Sequence, residues 1–205
     1  LAIFSLIMVP CYAILFGIQK SPFKYTFSMI GNWFGERTDF IVWGIVTALL
    51  LLYAIFSIYR QTSFKNRRAH YLLYISMLLL VLSVITPTVD TEPLQEELQS
   101  KMFYFNLHGL FAALFAVFLL FSLFLFSRYL AAIDKKLSLK SIGWLLAVSG
   151  GSLIVLFLFG MTGIFEIFFF MSLSIFLLIV TNDYFKKEIK KAVSDKSGVP
   201  ESLKN

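Results

Sequence analysis

The chain alternates between long apolar runs and short polar stretches. The apolar runs cover about 1–18, 41–59, 71–87, 102–127, 142–160 and 164–182. Each is close to the roughly 20 residues a helix needs to cross a hydrocarbon core. The charges avoid these runs. All eighteen Lys and Arg, and eleven of the twelve Asp and Glu, lie in 19–40, 60–68, 90–101, 128–140 and 183–205. A helix on the surface of a soluble domain carries charge along its wet face, so this segregation predicts lipid around the helices. The expected fold is all-α, a polytopic integral membrane helix bundle with six transmembrane helices in one domain over 1–185. A basic cytoplasmic tail, 186–205, follows, frayed over its last fifteen or so residues.

Within that frame, local signals set details. The first run has no basic segment before it and no small-residue cleavage site before Lys20, so it reads as a retained span rather than a signal peptide. Pro10 predicts a kink in it. Gly160-Met161-Thr162-Gly163 is so short a connection that the last two runs must form an antiparallel hairpin. Thr91, with Pro93 in the first turn, predicts an early start to the fourth helix. Ser149-Gly150-Gly151-Ser152 predicts a weakened or bent fifth helix, and Ser21 to Asp39 reads as a loop rich in aromatics.

Charge adds the orientation. Arg60, Lys65, Arg67 and Arg68 stand between the second and third runs with no acid. Arg128, Lys135, Lys136 and Lys140 stand between the fourth and fifth against Asp134 alone, and six lysines follow the last run. These fourteen of eighteen basic residues fall on one side, while Asp90, Glu92, Glu96 and Glu97 fall on the other. The positive-inside rule then places both termini inside, N-in and C-in. The net charge of +6 is accounted for by this topology and by anionic lipid headgroups, so no nucleic acid partner is expected. Only 15% of residues are charged and 59% are hydrophobic, against about 25% and 45–50% in soluble domains. The single cysteine, Cys11, allows no intrachain disulfide.

Candidate chemistry rests on few residues. Glu166 is the one acid inside an apolar run, and ionisable groups there are costly and functionally suspect. It is also close enough to the run's start to cap it or to reach water. His108 lies about 9 Å below the outer interface if its helix enters the membrane near Met102. His108 and Glu166 fall at similar depth, with Asn106 and Asp39 in the same region, so a histidine–carboxylate pair there could do acid–base work or bind an ion. Gly109, Ala112, Ala113 and Ala116 form a small-residue stripe suited to close helix packing. Phe23, Tyr25, Phe27, Trp33 and Phe34 read either as an interfacial aromatic belt or as a lid over an outer-leaflet cavity. No nucleotide-binding, dinucleotide or nucleophile-elbow motif is present, and no cofactor is expected. His70 and His108 fall on opposite sides of the membrane, which excludes a multi-histidine metal site.

Three motifs carry a resemblance. Phe27-Ser28-Met29-Ile30-Gly31-Asn32, His108-Gly109-Leu110-Phe111-Ala112 and Phe159-Gly160-Met161-Thr162-Gly163-Ile164-Phe165-Glu166 resemble, in order, segments of a prokaryotic six-span membrane family catalogued as domain of unknown function 998. The likeness covers about 1–185. The family often carries an arginine after the glutamate, where this chain has Ile167. The family is distantly similar to DRAM and Frag-type membrane proteins, one branch of which remodels GPI-anchor lipid. The resemblance implies a bacterial inner-membrane protein working on membrane lipids.

Three functional readings stay open. One is outer-leaflet lipid handling, with His108 as base, Glu166 as its orienting partner or an acid, Ser28 as nucleophile or oxyanion donor, and Asn32, Asn106 and Asp39 lining the pocket. The second is a non-catalytic accessory or assembly subunit docking on a larger membrane partner, and the third a small proton-coupled transporter using Glu166. The orientation has a direct test. With Cys11 replaced by Ala, Thr88→Cys should react with an impermeant maleimide in right-side-out membrane vesicles. Lys65→Cys should react only after permeabilisation, and the reverse pattern would overturn the N-in, C-in assignment.

Overall fold

The computed structural model describes residues 2–87 and 98–197. The described residues are helical throughout, with no strand: α1 (Ala2–Gly17), α2 (Phe27–Trp33), α3 (Arg37–Gln61), α4 (Arg67–Ile85), α5 (Leu98–Tyr129), α6 (Lys135–Phe159) and α7 (Gly163–Ser197), with a short 3-10 turn at Leu130–Ala132. Five helical stretches are long and apolar enough to cross a membrane: Arg37–Gln61, Arg67–Ile85, Leu107–Ala132, Lys135–Phe159 and Gly163–Lys187. α1 is apolar but has only 16 residues, about 24 Å at 1.5 Å per residue.

Side-chain caps start several helices by satisfying otherwise orphaned N–H groups. Asn66 Oδ1 accepts from Arg68 N and Ala69 N at the head of α4. Asp134 Oδ1 accepts from Lys136 N at 2.7 Å at the head of α6. Thr26 Oγ1 accepts from Met29 N at 3.1 Å at the head of α2. Gly160 ends α6 at a φ of 70°, a conformation that glycine adopts without strain.

The six longer helices form a closed ring. Each packs on its neighbours in sequence, and α7 returns to pack on α1; α2 lies against α1 and α3 at one end. That end is called the α2 end below, and the opposite one, with Arg60, Lys65 and Arg128, the basic end. α7 is the most buried of the five membrane-length stretches and α6 the least. Apolar contact brings little net gain when the surroundings are also apolar, so helices in such a setting depend on close backbone approach and on hydrogen bonds between them. Both occur. A Cβ on Gly44 would overlap the Val84 side chain, so α3 and α4 meet at this glycine. Tyr59 Oη and Ser122 Oγ lie 2.9 Å apart, and Ser122 donates to Ala69 O at 2.7 Å, joining α3, α5 and α4. Ser127 and Ser141 hydroxyls meet at 2.7 Å between α5 and α6. At the basic end Lys140 and Lys187 pair with Asp183 and Asp134, tying α6 to α7.

Two sequence expectations change. Ser21 to Asp39 is not simply a loop: it contains α2, because Thr26 caps a turn whose next residues bury Phe27, Ile30 and Gly31. α7 continues to Ser197, well into the stretch expected to fray. α6 runs unbroken through Ser149-Gly150-Gly151-Ser152, where Gly151 packs against the Phe168 ring. Within the small-residue stripe of α5, Ala116 packs against the core, whereas Ala113 is exposed and nothing lies within 4 Å of a Cβ built on Gly109. The start expected at Thr91 and Pro93 lies outside the described residues.

Gly44→Val is expected to destabilise the bundle by about 1–3 kcal/mol through overpacking. Gly109→Ala should cost well under about 1 kcal/mol, since its Cβ meets open space. Thermal unfolding of the two variants in detergent checks the contrast.

Candidate functional site

The α2 end holds almost all the residues singled out from the sequence, and its geometry begins with a reciprocal exchange between two chain segments. The first N–H groups of α7 have no partner within their own helix. Gly163 N donates to Tyr25 O at 2.8 Å and Ile164 N to Pro22 O at 2.9 Å. In return the Glu166 carboxylate, one turn into α7, accepts from Phe27 N at 2.6 Å, the first N–H of α2. The segment 22–27 therefore caps α7, and α7 caps α2. The approach is so close that a Cβ on Gly163 would lie 2.8 Å from Tyr25 O.

Phe27 then enters the core. It is fully buried, edge-on to Trp43 at 4.8 Å and to Phe16 at 5.4 Å. Trp43 extends the cluster to Phe40 at 6.0 Å and to Phe170 at 5.5 Å. The other aromatics of the segment stay near the surface: Tyr25 packs edge-on to Phe34, Phe23 touches Phe159, and the Lys20 ammonium sits 4.7 Å over the Phe34 ring. The aromatic segment is thus divided, one ring anchoring it and the rest covering the end of the bundle.

A second set of polar contacts lies across this cluster. Asn32 Nδ2 donates to Ser28 O at 2.6 Å within α2. Arg37 Nη1 donates to Asn32 Oδ1 at 3.0 Å, and its Nη2 donates to Ile85 O, the last residue of α4. A cation at a helix C-terminus suits the carbonyls left open there. His108 of α5 reaches α4 as well, with Nδ1 2.7 Å from Ser83 O. Because a carbonyl only accepts, Nδ1 carries the proton, and in the neutral ring Nε2 is the basic nitrogen. One polar chain thus links α2, α3 and α4, with α5 joined to it at α4.

The structure separates what the sequence suggested as a pair. Glu166 and His108 share the α2 end but not a hydrogen bond: Glu166 serves Phe27 N and His108 serves Ser83 O. Between them runs a relay of rings, from Phe27 through Trp43 and Phe40 to His108, whose ring is 6.5 Å from Phe40. Ser28 is buried with its hydroxyl 2.9 Å from Thr26 Oγ1, so its recorded partner is the cap of its own helix. Asp39 is exposed in the first turn of α3, where a carboxylate complements the helix dipole. The side chain of Asn106 lies outside the described residues. No group of three or more potential metal ligands occurs among the described residues.

Arg37 is the residue that sequence reasoning missed, because it counted only as one charge in a near-neutral segment. Its signal was there: an arginine just before the apolar run of the second span, five residues after Asn32, in a stretch expected to lie at the end of the bundle.

The fold and this end together define an all-helical bundle with membrane-length helices and a polar, aromatic-covered cluster at one end. No protein-family model, curated protein or solved structure matches the chain.

The capping exchange has a measurable consequence. Glu166→Leu removes the acceptor of Phe27 N and is expected to cost about 1–3 kcal/mol locally. Amide hydrogen exchange across 22–34 should then quicken by about tenfold or more. Glu166→Gln, which keeps an acceptor oxygen, should stay close to wild type. Equal exchange in wild type and the leucine variant would show that the contact does not hold the segment.

Proposed function

We propose that this chain is a protein of the bacterial inner membrane, with six spans and both ends in the cytoplasm, and that it handles lipid at the outer leaflet. In this reading α1 is the sixth span and the α2 end faces outward. The reading matches the segregation of basic residues at the other end and the resemblance to the six-span family catalogued as domain of unknown function 998. The observation that carries it is the placement of His108. Its ring is fixed by Ser83 O, on a helix of membrane length, at the end covered by the aromatic segment. A lipid headgroup in the outer leaflet would meet this end, with apolar helix faces flanking its chains.

Geometry favours binding over acyl transfer through Ser28. A nucleophilic serine works with a base in hydrogen-bond reach, whereas the Ser28 hydroxyl pairs with Thr26. Should the protein act chemically, His108 Nε2 is the base on offer and water the simplest nucleophile. Glu166 holds the covering segment in place and is not the partner of His108.

The test is lipid mass spectrometry on protein incubated with membrane lipids, comparing wild type, His108→Ala and Glu166→Gln. Wild type should retain or convert lipid, His108→Ala should lose this, and Glu166→Gln should keep most of it. Identical profiles in wild type and His108→Ala would overturn the reading. A stoichiometric protein partner found in that case would favour the accessory-subunit alternative, for which the apolar outer face of α6, with Phe157 90% exposed, is the available surface.

A further inference from the structure

We propose that Arg37 and His108 at the α2 end form a binding site for a phosphate-bearing anion, with Arg37 supplying the charge and setting headgroup preference. The inference deepens the lipid-handling reading and rests on it.

Arg37 is only partly exposed, yet its recorded partners are neutral: the Asn32 amide oxygen and the Ile85 carbonyl. The two ion pairs found among the described residues both lie at the basic end. A cation drawn partly out of water and held by neutral acceptors keeps most of its need for a counter-ion. The two bonds also fix the guanidinium, since one comes from α2 and the other from the end of α4. Its remaining N–H donors are thereby oriented, and a fixed fork is the geometry that recognises phosphate in two-point fashion.

His108 makes the site more than a lone arginine. Its ring is anchored at Ser83 O on α4, two residues before the Ile85 carbonyl that holds Arg37. A phosphate would give Arg37 the counter-charge that its neutral partners do not supply, and it would accept from the His108 ring once that ring is protonated. A carboxylate offers fewer acceptor atoms for this arrangement than the tetrahedral oxygens of a phosphate. The same chemistry is offered by the phosphodiester of a lipid headgroup and by free phosphate.

The experiment uses the full chain in neutral detergent. Native mass spectrometry measures retention of phosphatidylglycerol and of phosphatidylcholine, and thermal unfolding is followed with and without inorganic phosphate. Wild type, Arg37→Gln, Arg37→Lys and a control, Arg68→Gln at the basic end, are compared. The expected result is preferential retention of phosphatidylglycerol that falls about tenfold in Arg37→Gln, the factor for losing a charge-assisted contact. Arg37→Lys should keep part of the preference, because the charge survives without the fork, and Arg68→Gln should match wild type. If inorganic phosphate stabilises wild type but not Arg37→Gln while phosphatidylglycerol shows no preference, the site takes a soluble phosphate. Should Arg37→Gln fold poorly, the lysine variant decides, since unchanged preference with intact stability there rules out recognition by the fork. Equal preference in all four proteins, or in all but Arg68→Gln, overturns the proposal. Lipid retention or conversion that depends on His108 but not on Arg37 would leave the lipid-handling reading standing while this inference fails.

Discussion

The α2 end depends on one exchange of hydrogen bonds. The start of α7 needs acceptors and the segment before α2 supplies them as Pro22 and Tyr25 carbonyls; the start of α2 needs an acceptor and α7 returns one as the Glu166 carboxylate. Orphan N–H groups at a helix start are tolerable in water but expensive where water is scarce. Two helices therefore solve one problem together, and the solution brings residues 22–27 onto residues 163–166. Gly163 allows the contact because any side chain there would strike the Tyr25 carbonyl.

Much else follows from that docking. With its first N–H held, α2 turns Phe27 inward, where it completes a ring cluster with Phe16, Phe40, Trp43 and Phe170 drawn from α1, α3 and α7. The far end of α2 presents Asn32 to Arg37, and Arg37 reaches the end of α4. The short helix is thus pinned at both ends, by a carboxylate at one and a guanidinium at the other. A seven-residue helix has little stability of its own, so these tertiary bonds explain why it exists.

The two polar residues that drew notice first have different work. Glu166 is structural in its recorded contact, although an acid inside an apolar run is the signal normally read as functional. His108 has a ring fixed on α4 by the Ser83 carbonyl. Arg37, placed between α2, α4 and the neighbourhood of His108, joins the covering segment to the polar cluster.

By itself the sequence determined the helical class and the rough limits of the long helices, because the segregation of charge from apolar runs is a one-dimensional property. The five membrane-length stretches fall where the runs from 41–59 onward predicted, extended at their ends by capped turns such as those at Asn66 and Asp134. It also marked Ser28, Asn32, His108 and Glu166 as residents of one end, since each lies near the boundary of a run. Only the tertiary structure decided their partners. Nothing in the order of residues tells that Glu166 would meet an amide 139 positions away, that a ring relay would part it from His108, or that Gly44 and not Gly109 would mark a close helix crossing. Periodicity and hydropathy describe a helix against its surroundings, whereas these choices depend on which faces turn toward each other and on which unpaired backbone group lies within reach.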